Sequence, residues 1–295
     1  LLPCLLAVPL GRYIAAVYAG RPTLLDFISP VERGVLRLAG IDGARQMTWT
    51  QSLRALLWLN LAFVLWAFIV LLLQGMIPFL NPDGIPGMEP TQAFNTAISF
   101  MTNTNLQHYS GETGATYFTQ LFVFCFLQFV SAASGMAALA VLFHTLAPPT
   151  GVAPGNFYRY FLLSSTRILL PLAIIVAMIL LFNGTPATLE GAAQVVTLEQ
   201  DTIQVARGPV APMVAIKQLG TNGGGYFGPN ATHPFENPNL LTNSVEWLLI
   251  LLIPMAMVFA FGQFTQQMRL ARVLFSVMLA GFLLLIARQY QREFG

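Results

Sequence analysis

The sequence predicts an all-α polytopic membrane protein of about six transmembrane helices, with two shorter segments that enter the membrane and turn back. Three observations predict it. Hydrophobic residues make up 56% of the 295 residues and charged residues 9%, with a mean hydropathy of +0.66, whereas about a quarter of a soluble domain is charged. Six runs approach the ~20 apolar residues that cross a bilayer. Two polar stretches, TNTNL at 102–106 and TNGGGYF at 221–227, stand at matching places between those runs.

The first run covers 1–19 and is interrupted by Arg12; the chain begins at Leu1 without a Met, so this span is expected to lack its start. The second, 53–74, is rich in Leu, Trp and Phe. The third, 119–143, carries Ser131, Ala132, Ala133, Ser134 and Gly135, small residues that let helices approach closely. The fourth, fifth and sixth cover 161–182, 245–261 and 270–287. Pro171 and Pro254 are expected to kink the fourth and fifth. Segments 92–101 and 211–219 are helix-compatible and too short to span. Cys4 and Cys125 lie inside apolar runs and read as small core residues rather than a disulfide or metal pair. A net charge of +2 gives no reason to expect a nucleic-acid partner.

Arginine sets the orientation. Arg21, Arg33, Arg37 and Arg45 lie between the first two runs, Arg159 between the third and fourth, and Arg269 and Arg272 between the fifth and sixth. Residues 75–118 hold no Lys or Arg, and 183–244 hold only Arg207 and Lys217. Positive residues favour the cytoplasmic side, so both Thr-Asn stretches are expected to face outward.

A repeat follows from this layout. Long helix, short helix, Thr-Asn stretch and long helix occur twice, and Thr102 and Thr221 lie 119 residues apart. The expected domains are 1–50 (first helix and cytoplasmic connection), 51–147 and 148–265 (two helix–pore loop–helix units) and 266–295 (a helix opening a third). Non-helical backbone survives at membrane depth only where protein or a water-filled cavity satisfies it, and transporters place such broken elements at substrate sites. Rings of backbone carbonyls replace the water of a monovalent ion. Gly223, Gly224 and Gly225 accept the dihedrals such a strand demands. Thr102, Thr104 and Thr221 can add hydroxyl oxygens, and Asn103, Asn105 and Asn222 amide oxygens. Tyr226 and Phe227 are placed to brace the strand from behind. No carboxylate lies in either stretch, which suits a monovalent ion better than Ca²⁺ or Mg²⁺.

Three segments carry a resemblance: FMTNTNLQHYSGE at 100–112, SAASGMA at 131–137 and LGTNGGGYFGPNATHPFENPNLLTN at 219–243. With VERGVLRLAGID at 31–42, they are similar to the potassium-binding A subunit of the bacterial Kdp potassium-transporting ATPase, and the similarity runs through essentially the whole chain. The resemblance implies a potassium-transporter fold of four helix–pore-helix–filter–helix repeats round one pore, of which this chain holds two. It implies potassium ions as cargo, no organic cofactor, a P-type ATPase subunit and two small accessory subunits as partners, and a bacterial inner membrane as location. Carried over, the filter is Thr102, Asn103, Thr104 and Asn105, with Gln107 just behind it, and then Thr221, Asn222, Gly223, Gly224 and Gly225. Leu106 departs from a usual tryptophan and Tyr226 from a phenylalanine, leaving the filter oxygens untouched. With two repeats of four, the chain is expected to be a fragment of a longer subunit; a split gene and a dimer of half-pores are the alternatives.

Other polar residues read more plainly. Arg167 is expected to snorkel to the membrane interface. Glu112 either concentrates cations at the outer mouth or caps a helix. His233 and Glu236 are too few for a metal site, and Pro234 and Pro238 suggest a rigid turn buttressing the second filter. His108 and His144 read as surface or packing residues. Neither a GK[ST] nucleotide loop nor a DKTG phosphorylation sequence occurs, so any ATP hydrolysis is expected in a partner. A potassium-selecting pump subunit is the first reading, a stand-alone potassium channel or secondary transporter of the same superfamily the second. A membrane enzyme or scaffold is the third, and it lacks a nucleophile in any recognised setting.

Overall fold

The computed structural model describes residues 2–147 and 155–294. The boundary expected at 147/148 therefore abuts residues outside the described ones, as do the chain ends at Leu1 and Gly295. The chain is a helical membrane protein. Nine helices are labelled here: α1 Leu2–Tyr18, α2 Ser29–Leu38, α3 Trp49–Leu73, α4 Pro90–Met101, α5 Tyr117–Leu146, α6 Phe157–Phe182, α7 Val210–Leu219, α8 Leu240–Phe264 and α9 Met268–Phe294. Of these, α3, α5, α6, α8 and α9 are long and apolar enough to cross a membrane. The first expected span is shorter. Its 17 described residues end in a left-handed Gly20 (φ +68°), where Gly20 N–H bonds Val17 O and Arg21 N–H bonds Ala16 O, the closing pattern of a Schellman cap.

Local chemistry starts the helices where polar residues stand. The Thr48 hydroxyl accepts the Gln51 N–H at 3.2 Å while Gln51 returns its side-chain oxygen to the Thr48 N–H at 2.9 Å, a reciprocal cap that satisfies two donors at the start of α3. Asn239 and Thr242 do the same for α8. The short helix α4 begins with Glu89 accepting the Gln92 N–H, followed by Pro90, whose fixed φ suits a first helical turn.

Two re-entrant helices are the centre of the fold. Helix α4 is packed between α3 and α5, and α7 between α6 and α8. In α7 every residue except Pro212 is buried, so this short helix is wrapped by protein on all sides. A segment missed by sequence reading precedes it: an antiparallel hairpin of β1 (Ala193–Val196) and β2 (Thr202–Val205), Ala193 paired with Val205. It lies largely exposed, and its alternation is too short to stand out among loop residues.

Small residues bring α1 against α8. Ala7, Gly11 and Ala15 recur every fourth residue and are buried, facing Ala256 and Ala260 on α8. A Cβ at Gly11 would stand 2.6 Å from the Ala256 carbonyl oxygen, so the two backbones touch, as small-residue stripes in membranes allow. Helix α9 packs mainly along α8 and leaves most of its apolar surface exposed.

Arg167 does not snorkel. It lies ten residues into α6 and is buried, with Nε and Nη2 on the two Glu32 oxygens at 2.8 and 2.6 Å and Nη1 on Asp26 at 2.5 Å. Glu32, on α2, presents its carboxylate in the fork geometry that guanidinium matches, so pairing replaces an escape to the interface. The carbonyl of Arg167 is left free by Pro171, which has no N–H to return to it; Tyr13 Oη donates to it at 3.0 Å. A π-turn at Ser164–Leu169 precedes Pro171 in the same helix, with Leu170 between them.

Gly11→Leu is expected to force α1 off α8, at a cost of about 1–3 kcal/mol for overpacking. Thermal unfolding of the purified protein in detergent measures it, and an unchanged Tm would show that the contact is dispensable.

Candidate functional site

Both polar stretches continue directly from the C-termini of the re-entrant helices. In the first, Thr102, Asn103 and Thr104 N–H groups bond Ile98, Phe100 and Ser99 carbonyls; in the second, Gly220, Thr221 and Asn222 bond Ile216, Gln218 and Lys217. The two exits superpose at an offset of 118, one less than the spacing of the Thr-Asn pairs. Thr221 and Asn222 therefore sit one position further along their loop than Thr102 and Asn103 do.

Positive φ recurs at every second residue: Asn103 (+61°) and Asn105 (+49°), then Thr221 (+55°) and Gly223 (+101°). Alternating handedness brings successive peptide dipoles to one side of the chain. Asparagine and glycine tolerate this conformation. Thr221 is β-branched and does not, at a cost of order 1–3 kcal/mol that the surroundings must hold. The backbone carbonyls of Thr102, Asn103, Thr104, Asn105, Thr221, Asn222 and Gly223 accept no hydrogen bond among the described residues. Thr104 O faces Gly223, 3.8 Å from where a Cβ would stand.

A web of amides holds these strands. Asn103 Nδ2 donates to Gly220 O at 3.1 Å, and Asn103 Oδ1 accepts from the Ser131 hydroxyl at 2.8 Å and from Asn222 Nδ2. Gln107 bridges to the second strand. Its side-chain oxygen accepts the Gly225 N–H and its Nε2 donates to Gly225 O, both at 3.0 Å. Gln128, on α5 and fully buried, donates to Gly224 O at 2.9 Å. Gly224 and Gly225 carbonyls are thus tied to the frame. Asn105 is buried against Gly224, where a Cβ would stand 2.7 Å from the Asn105 Cβ. The Thr102 hydroxyl donates to Ile98 O at 2.9 Å and bonds Thr104 Oγ1 at 3.1 Å, so it caps α4.

Outside the strands, Glu112 Oε2 accepts the Gly228 N–H at 2.9 Å, joining the two loops. Tyr226 and Phe227 are buried, as expected of a brace; Tyr226 Oη donates to Arg207 O at 2.9 Å and Phe227 stacks on His233 at 3.6 Å. Burial holds the His233 imidazole below its ordinary pKa, so Nδ1 stays free to accept the Phe235 N–H. Glu236 pairs with Lys217 and accepts the Phe227 N–H at 2.9 Å. His233 and Glu236 are therefore spent on the loop, and no cluster of three metal-binding side chains occurs among the described residues. His108 is exposed, His144 bonds Gln46, and Cys4 and Cys125 are free thiols.

Below the strands opens a cavity of about 800 Å³ lined by Asn60, Thr102, Asn103, Ser131 and Thr221 and walled by residues such as Met257 and Phe261. Neutral oxygens at its roof and apolar walls beneath can strip water from a monovalent cation and hold it weakly. Sequence reading missed Gln128 and the polar role of Ser131. Both occur inside a span read for its apolar and small residues, and only their proximity to the second strand reveals them.

Two long-helix, re-entrant-helix and strand units meeting over one cavity define a pore-loop membrane protein. The model of the family described as potassium-transporting ATPase A subunit matches residues 1–295. The chain belongs to that family. It is 52% identical over 291 residues to the potassium-transporting ATPase potassium-binding subunit of Bacteroides thetaiotaomicron, covering 99% of this chain and 51% of that protein. Subunits of the same description from Flavobacterium johnsoniae and Pseudomonas entomophila are 52% and 45% identical over 99% and 93% of this chain, covering 51% and 49% of their own lengths. The chain spans about half the length of these relatives.

Gln128→Leu would strip the donor from a buried carbonyl, at a cost of about 1–3 kcal/mol. A lower Tm of the purified protein is the expected outcome; an unchanged Tm would mean that Gly224 O finds another donor.

Proposed function

We propose that this chain is the potassium-selecting part of an ATP-driven potassium uptake pump. Seven free carbonyls among the described residues, on two strands with left-handed residues at alternate positions, carry the reading. Thr102, Asn103, Thr104, Asn105, Thr221, Asn222 and Gly223 offer the oxygens that take over from water. Gln107, Gly224 and Gly225 form the frame that keeps those oxygens in place. Two of the four repeats that the family resemblance implies leave the ion half hydrated, so a full ring requires further strands from the whole subunit. Selectivity rests on oxygen number and field strength, since Glu236, the carboxylate that lies against Gly225, is paired with Lys217.

That the relatives are subunits of a potassium-transporting ATPase supports a P-type ATPase partner, and small accessory subunits complete the proposed assembly. Arg21, Arg33, Arg37 and Arg45 lie between α1 and α3, and Arg159, Arg269 and Arg272 at the starts of α6 and α9, which supports filters facing outside; the family resemblance supports a bacterial inner membrane. Potassium enters from that side, sheds water at the strands, passes into the cavity beneath and continues toward the ATPase.

Gly223→Asp places a charge and a Cβ at a φ of +101°. In the complete complex it is expected to raise the potassium KM of ATP hydrolysis at least tenfold, or to abolish preference over sodium. Unchanged affinity and selectivity would remove Gly223 from the filter. Potassium flux through proteoliposomes that needs no ATP would favour the stand-alone channel instead.

A further inference from the structure

The chain has a single lysine, Lys217, and it is 2% exposed. It lies in the last turn of α7, four residues before Thr221, and pairs with Glu236, which is 0% exposed. The same carboxylate accepts the Phe227 N–H at 2.9 Å. Phe227 follows the glycine strand, so one carboxylate joins the helix that enters the strand to the backbone that leaves it. Its two oxygens also lie flat against Gly225, where a Cβ would stand 2.5 and 2.7 Å from them. A side chain at 225 would therefore displace the carboxylate.

The first unit meets the same need differently. At the offset of 118, the residue equivalent to Lys217 is Ser99: its carbonyl accepts the Thr104 N–H as that of Lys217 accepts Asn222. The Ser99 hydroxyl accepts the Leu106 N–H at 2.7 Å and so closes its own loop directly. The second strand carries three consecutive glycines, which lose the most conformational freedom on ordering, and it is closed by a longer, charged strut.

We propose that Lys217 and Glu236 are positioning residues for the second filter strand, holding Thr221, Asn222 and Gly223 at the spacing that selects the ion. The inference rests on the potassium reading above and names the residues on which that strand's geometry depends. Glu246, held by Gln218 at 2.5 Å, belongs to a neighbouring contact and does not bond Lys217. Breaking a buried pair leaves the other charge uncompensated, whereas removing both charges does not. A gain in the double variant therefore separates coupling from simple damage.

The experiment uses the complete pump complex carrying Lys217→Met, Glu236→Gln, the double variant, and Glu236→Asp, which keeps the charge on a shorter arm. Potassium-stimulated ATP hydrolysis is measured first on the unaltered complex; absence of potassium stimulation there would sink the functional reading itself. Given stimulation, each single variant is expected to raise the potassium KM at least tenfold with kcat within twofold. The double variant is expected to return KM to within threefold, because the amide oxygen introduced by Glu236→Gln still accepts the Phe227 N–H. Glu236→Asp should raise KM about fivefold, which keeps the test decisive if the single neutral variants fail to assemble. Unchanged KM in assembled variants, or a double variant no better than the worse single, overturns the proposal.

Discussion

Backbone that leaves a helix inside a membrane-sized bundle has to find partners for its N–H and C=O groups without water, and the rest of this structure depends on that constraint. Each unsatisfied group in such surroundings costs several kcal/mol. Both strands meet it by leaving their helices through the same carbonyl contacts and then borrowing side chains from outside. Asn103, Gln107, Ser131 and Gln128 supply amides and a hydroxyl from the opposite strand and from α5. What remains after this accounting is a set of carbonyl oxygens with no partner among the described residues, on four consecutive residues of the first strand and three of the second. The polar frame and the candidate ligands are thus two sides of one ladder.

The frame is asymmetric although the two units repeat. The first strand, rich in asparagine, carries donors and acceptors in its own side chains. The second, rich in glycine, has few, so α5 and the loop after it provide them. Gly224 and Gly225 are locked through their carbonyls, while Gly223, with its positive φ, stays open. Three neighbouring glycines consequently serve different ends: one frees a carbonyl, and two let Asn105 and Glu236 approach the backbone within contact distance.

At the opposite end from the strands, Arg167, Glu32 and Asp26 fasten α6 to the connection after α1. Tyr13 completes the backbone bond that Pro171 cannot make. A charged group ten residues inside a spanning helix is tolerated because its partners arrive with it, which sequence spacing does not disclose. Glu32 is 135 residues away from Arg167, and nothing in either local sequence marks the pair.

The sequence by itself determined the helical membrane class, the long helices to within a few residues, the two re-entrant helices and the two polar strands that follow them. Hydrophobic length, capping residues and glycine runs act locally, and local physics is legible along a chain. It misjudged Arg167, gave no sign that Gln107 bridges to the second strand, and passed over Gln128, Ser131 and the short hairpin. Only the tertiary structure decided which carbonyls are tied and which are free, and which buried charges meet. Those outcomes depend on side chains far apart in sequence, such as Gln128 and Gly224, 96 residues apart, whose encounter is set by how helices pack and not by the pattern of either segment.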